Sequence, residues 1–143
     1  IATEKFEFGF TDVISGTDAG AVNVKATPSF NATDAVVLCV DTTNNSTLAL
    51  MAVQAGTAET TINLNTALSA ATYYYFGVEL RDALARGYLL DANARMMEQT
   101  AWMDAAVTAA TLLTPWAFMQ NRSGAQRTAT IDMVYAYQRR STS

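Results

Sequence analysis

Glu79 and Asp82 stand three residues apart with Arg81 and Arg86 around them, and are the acid pair best spaced for general acid–base work. Two carboxyl groups in different environments suffice for glycoside hydrolysis. On a helix face the same spacing with flanking arginines is a solvated, salt-bridged surface, and that is the reading adopted here. Cys39, the single cysteine, lies inside the apolar run 35–40, where a thiol packs as a small inert hydrophobe. The chain contains no histidine, so Cys-His and Ser-His-Asp catalysis and His-ligated zinc have no residues to use. The seven glycines form neither a dinucleotide fingerprint nor a phosphate-cradling loop. The polar clusters at Asp12 and Asp18 and at Asp41, Asn44 and Asn45 lack the spaced acids and glycine of a calcium-binding loop. These residues predict a protein that is not an enzyme and that uses no cofactor and no metal.

The remaining chemistry is that of surfaces. Tyr73, Tyr75, Trp102 and Trp116 are aromatic, and Arg122, Arg127, Arg139 and Arg140 crowd the C-terminal end with Asp132 as the acid among them. Aromatic and arginine side chains suit contact with a protein or glycan, and these eight residues are the candidate assembly or partner surface. Charge is unevenly placed. Residues 1–77 hold seven acids against Lys5 and Lys25, whereas residues 78–143 hold six acids against seven arginines. An acidic part and a basic end are complementary between neighbouring copies. Charged residues make up 15% of the chain against about 25% in ordinary soluble domains, so little repulsion opposes self-association. Four terminal arginines on a chain of net charge -4 make a poor phosphate footprint, and no nucleic-acid partner is favoured.

The elements that must position these residues follow from periodicity. One domain is expected over residues 1–143, β-rich over 1–90. Phe6, Phe8 and Phe10 alternate with Glu7 and Gly9, which puts three rings on one face of a strand. Val22, Val24 and Ala26 alternate until Pro28, and the run 35–40 predicts a strand buried on both faces. Further strands are expected at 47–53 and 61–64. In 73–80, Tyr74, Phe76, Val78 and Leu80 form one face and Tyr73, Tyr75, Gly77 and Glu79 the other. The stretch 79–90 is either a helix capped by Gly87 or a hairpin connection into a strand. Trp102, Ala106, Ala109, Leu113 and Trp116 recur at helical spacing, which predicts one principal helix over about 91–114, ended by Pro115. Ile131, Met133, Tyr135 and Tyr137 alternate, predicting a returning strand over about 130–138 that closes the sheet or pairs with a neighbour. No apolar run reaches the roughly 18 residues of a membrane span. The start at Ile1 predicts a processed upstream segment, and Asn31, Asn44, Asn45 and Asn121 open glycosylation acceptor patterns.

From Thr72 to Leu90, the run Thr-Tyr-Tyr-Tyr-Phe-Gly-Val-Glu-Leu-Arg-Asp followed by Arg-Gly-Tyr-Leu-Leu resembles the last hairpin of immunoglobulin-like domains in bacteriophage tail and baseplate proteins. The preceding Thr-Thr-Ile-Asn-Leu-Asn segment is similar in layout. Ala83, Leu84 and Ala85 depart from the Asp-Gly type of turn that such a hairpin carries. The resemblance covers about 35 residues and implies a β-sandwich and a virion role. Together these readings predict an α+β chain, mainly antiparallel β, in which a β-sandwich or barrel-like sheet carries one principal α-helix in the C-terminal half. The expected function is a non-catalytic structural protein of a virion or other extracellular particle, a bacteriophage capsid, neck or tail component whose partners are copies of itself and other particle proteins. The alternative is a secreted binding module for a glycan or protein that uses Tyr73 and Tyr75.

Overall fold

In the computed structural model, which describes residues 4–13, 19–43, 45–121, 130, 131, 135 and 136, the chain builds antiparallel sheets in three layers. The strands are β1 (Glu4–Thr11), β2 (Val22–Val24), β3 (Ser29–Phe30), β4 (Ala35–Asp41), β5 (Asn45–Gln54), β6 (Thr57–Ala58), β7 (Ile62–Asn63), β8 (Tyr75–Arg81), β9 (Leu84–Leu90), β10 (Met96–Gln99) and β11 (Thr114–Asn121). The main sheet has the order β11-β1-β4-β5-β6, with β7 also on β5. A smaller sheet, β10-β9-β8, packs on one face of it, and the β2-β3 hairpin lies over the other.

The apolar run 35–40 becomes β4 because it lies in the middle of this stack. All seven of its residues are buried. Val36, Leu38 and Val40 join Leu48, Leu50 and Ala52 of β5 in a core shared with Phe76, Val78 and Leu80 of β8 and Ala85 and Leu89 of β9. Ala35, Val37 and Cys39 face the other way, with Ala49, Met51 and Val53, onto Ala21, Val22, Ala32 and Phe30. Residues two apart share a strand face, so one continuous apolar run serves two cores. The alternation in 73–80 also holds: Tyr74, Phe76, Val78 and Leu80 all pack against the first core.

The expected helix over about 91–114 is absent, and the chain is all-β among the described residues. Asp91 caps a turn, its Oδ1 accepting the N–H groups of Asn93 and Arg95 at 2.8 and 2.9 Å. Residues 96–99 then run beside β9, Met96 opposite Leu90 and Gln99 opposite Tyr88, with a register shift between Met96 and Glu98. Met103 and Ala85 exchange both backbone hydrogen bonds, at 2.7 and 3.0 Å, and the Ala106 N–H donates to the Ala83 carbonyl at 2.7 Å. The free side of β9 thus supplies the partners that a helix would have found within itself, and Met103, Ala106 and Val107 are buried in the first core as a result. Ala105 and Ala110 take φ of 52° and 65°, which the interior of a right-handed helix excludes. Pro115 is not a helix terminator. It is the second residue of β11 at the edge of the main sheet, where a missing N–H is tolerated.

The 79–90 alternative resolves as a hairpin. β8 and β9 pair from Tyr75 with Leu90 to Arg81 with Leu84, and Asp82 and Ala83 make a two-residue turn. Asp82 carries φ of 52°, a conformation that Asp tolerates better than most residues, so no glycine is needed there. The expected strand over about 130–138 lies largely outside the described residues. The strand that does return to β1 is β11, paired from Glu4 with Asn121 to Thr11 with Thr114.

Candidate functional site

The outer face of the small sheet is built by the strand alternation that sends Phe76, Val78, Leu80, Ala85 and Leu89 inward. Its opposite face carries Tyr75, Gly77, Glu79 and Arg81 from β8 and Leu84, Arg86, Tyr88 and Leu90 from β9, in the register Tyr75 with Leu90, Gly77 with Tyr88, Glu79 with Arg86 and Arg81 with Leu84. Met96 of β10 extends the first of these rows beside Leu90. One end of the face is therefore apolar: Tyr73 is 63% exposed, Tyr75 47% and Met96 52%, with Met97 also exposed.

The middle of the face is a charged and aromatic network centred on Glu79. Its Oε1 accepts from Arg81 Nε at 2.6 Å, and its Oε2 accepts from Arg86 Nε at 2.9 Å and from the Tyr88 hydroxyl. The Tyr88 hydrogen bond, with those from the two guanidinium groups, holds the Glu79 carboxyl down to about 2. Trp102 joins from the segment after β10, its ring 4.4 Å from the Arg86 guanidinium and 5.2 Å from that of Arg81, while Arg86 also lies 5.0 Å from the Tyr88 ring. Arginines held beside rings by a shared carboxylate lose little further side-chain freedom on contact with a partner. Glu79 and Asp82 share no helix face. Glu79 is on a strand and engaged with both arginines, and Asp82 is in the turn.

A second ionic group, unanticipated from the sequence, is buried under the hairpin. The face of β1 opposite its phenylalanines carries Lys5 and Glu7, 2% and 0% exposed, with Lys5 Nζ 2.7 Å from Glu7 Oε1. Glu7 Oε2 also accepts from the Ala21 N–H at 2.7 Å and from Trp116 Nε1 at 2.9 Å, and Oε1 accepts from the Val22 N–H at 3.0 Å. The Lys5 ammonium donates to the Val22 carbonyl and lies 5.5 Å from the Phe118 ring. Gly20 leaves room for this carboxylate, since a Cβ there would come within 2.4 Å of Glu7 Oε1. Lys25 and Asp41 are buried beside it. Desolvation lowers the Lys25 pKa, and the same burial, with the Glu7 charge, pushes the Cys39 thiol up to about 12. A thiol so placed is protonated and shielded, which makes it a poor nucleophile and ligand. This group pins the hairpin and β11 to β1.

The eight anticipated surface residues are not one patch. Tyr73 and Tyr75 lie at the apolar end of the outer face, and Trp102 within its charged middle. Trp116 is on the opposite side of the main sheet, stacked on Phe118 at 5.8 Å and bonded to Glu7. Arg122, Arg127, Arg139 and Arg140 lie outside the described residues. The spacing of Glu79, Arg81 and Arg86 had pointed to a salt-bridged surface, which forms on a strand pair and not on a helix, whereas Tyr88 and Met96 were not anticipated as surface residues. The alternation through 84–90 was the available signal, and it became readable only once 79–90 was known to be a hairpin. Among the described residues no three Asp, Glu, Cys or His side chains converge as a metal site, and no helix is long and apolar enough to cross a membrane. No family model, curated protein or solved structure matches the chain.

Proposed function

We propose that the chain is a non-catalytic structural protein that self-assembles into a virion or other extracellular particle, as a bacteriophage capsid, neck or tail component, and that the outer face of the small sheet is its contact surface. The observation that carries this reading is the composition of that face. Tyrosine, tryptophan, methionine and arginine, the residue types enriched at protein interfaces, stand together on one sheet face, with Tyr73, Tyr75 and Met96 largely exposed. The low charge of the chain and the resemblance of Thr72–Leu90 to hairpins of phage tail domains support the same reading. The exposure of Tyr73 and Tyr75 also favours a second reading, a module that holds a glycan or a protein partner through them.

Light scattering across a series of protein and salt concentrations separates the two. Self-assembly predicts a defined oligomer or filament in the native chain and a monomer in the Tyr75→Glu/Met96→Glu variant. A native chain that is monomeric throughout overturns self-assembly and leaves the binding module.

A further inference from the structure

The face of the main sheet under the β2-β3 hairpin buries more ionisable side chains than are needed to pin it. Lys5 and Glu7 of β1 and Cys39 and Asp41 of β4 share that face, in the cross-strand pairs Lys5 with Asp41 and Glu7 with Cys39. Lys25, in the turn between β2 and β3, is buried over them, and its charge acts on both Cys39 and Asp41. Two lysines and two carboxyl groups are thus enclosed beside Val22, Trp116 and Phe118. Ions held in such a place carry a desolvation cost that a neutral group does not. The arrangement is also that of an activated nucleophile. Lys5 Nζ is 2.7 Å from Glu7 Oε1, within reach for proton transfer. Directly opposed residues on antiparallel strands have Cβ atoms about 4.5–5.5 Å apart, which the four-carbon stem of lysine spans with length to spare. The Asp41 carboxyl is polarised by the Thr43 N–H, 3.2 Å from its Oδ1, and by the Lys25 charge.

We propose that Lys5 and Asp41 join spontaneously in an amide bond between Nζ and Cγ, with Glu7 as the base. The ion pair of Lys5 and Glu7 is the state in which the chain folds. Glu7 relays one proton from the Lys5 ammonium to the Asp41 carboxylate, leaving a neutral amine and a neutral acid. The Nζ lone pair then attacks Cγ and forms the C–N bond. Glu7 carries a second proton from the nitrogen to the hydroxyl, the C–O bond breaks, and water leaves. The nitrogen keeps one hydrogen, and no oxidant or other reactant is consumed. Enclosure of the groups in one folded site supplies the proximity that such a bond requires. The bond ties β1 to β4 and closes a loop, residues 5–41, that contains the hairpin covering it. A pull on the chain before Lys5 passes directly into β4 instead of peeling β1 from the sheet. This inference does not depend on self-assembly.

Intact mass spectrometry of the full chain, denatured after folding, tests it. The native chain is expected to be lighter than its sequence by the mass of one water, and proteolysis to yield a branched peptide joining Lys5 to Asp41. Lys5→Arg and Glu7→Gln are expected to lose no water, with their folding read by circular dichroism. The full sequence mass in the native chain overturns the proposal whatever the variants do. A loss of water that persists in Lys5→Arg, or a branched peptide that runs through Lys25, overturns it as well. A bond that forms fully in Glu7→Gln overturns the role of Glu7 as the base.

Discussion

Glu7 shows how much one side chain decides at the residue scale. It is fully buried, yet its carboxylate meets Lys5 and three N–H donors, from the backbone of Ala21 and Val22 and the indole of Trp116. Leucine in its place leaves a buried ammonium without its carboxylate and three donors without their acceptor. Glu7→Leu is therefore expected to cost about 3–5 kcal/mol, the range for breaking a buried pair from one side. Lys5→Met leaves the carboxylate with its three donors and is expected to cost about 1–3 kcal/mol. Urea unfolding of the two variants checks the order, and equal losses would mean that the three N–H groups contribute nothing. None of this was legible beforehand. Alternation correctly separated Phe6, Phe8 and Phe10 from Glu7, but the pattern of one strand does not reveal that a hairpin 14 residues later covers its polar face.

At the scale of elements, β4, β5, β7 and β8 were legible because each combines alternation or a short apolar run with polar turns at its ends, whereas the two-residue β6 was not. The turns are where local sequence and structure disagree. Ala55 and Gly56 connect β5 to β6 with φ of 47° and 79°, a left-handed pair for which Asn-Gly is the favoured sequence. Alanine resists that conformation by about 1–2 kcal/mol, and asparagine resists it less. Ala55→Asn is expected to stabilise the protein by about 0.5–1 kcal/mol, read as a higher urea midpoint with an unchanged slope. A lower midpoint would mean that the Ala55 side chain has a packing role. The segment 91–113 is the opposite case. Its alanines and leucines favour a helix locally, and the hydrogen-bonding side of β9, with the core space filled by Met103, Ala106 and Val107, overrides them.

At the scale of the whole molecule, two carboxylates tie separate parts together and set how the fold responds to acid. Glu79 joins β8 to β9 and to the arginines that frame Trp102. Glu98 of β10 accepts from the backbone and side chains of Asn65 and Thr66 at 2.8–3.1 Å, linking the small sheet to the segment after β7. The Asn65 backbone hydrogen bond, with those of Thr66, lowers the Glu98 pKa, and Glu79 is held at about 2 against an ordinary 4.5. Each folded-state value lies below the unfolded one, so the stability they contribute is complete above about pH 4.5 and is lost as the pH falls toward 2. The urea midpoint is expected to fall across that window. Glu79→Gln is expected to lower it at neutral pH and to flatten the fall; an unaltered acid profile in this variant would show that the network contributes no linkage.

The sequence by itself determined that the middle of the chain is antiparallel β, which residues of 35–40 and 73–80 face a core, and that histidine-dependent chemistry has no residues to use. These follow from side-chain type and from a period of two, both local properties. Only the tertiary structure decided that 91–113 is extended and turned, that Lys5 and Glu7 are interior, and that Arg81, Arg86, Tyr88, Trp102 and Met96 share one face with Tyr75. Each of these depends on which strand lies beside which. Hydrogen-bond partners and buried ionic contacts between residues far apart in the chain have no signature in local spacing.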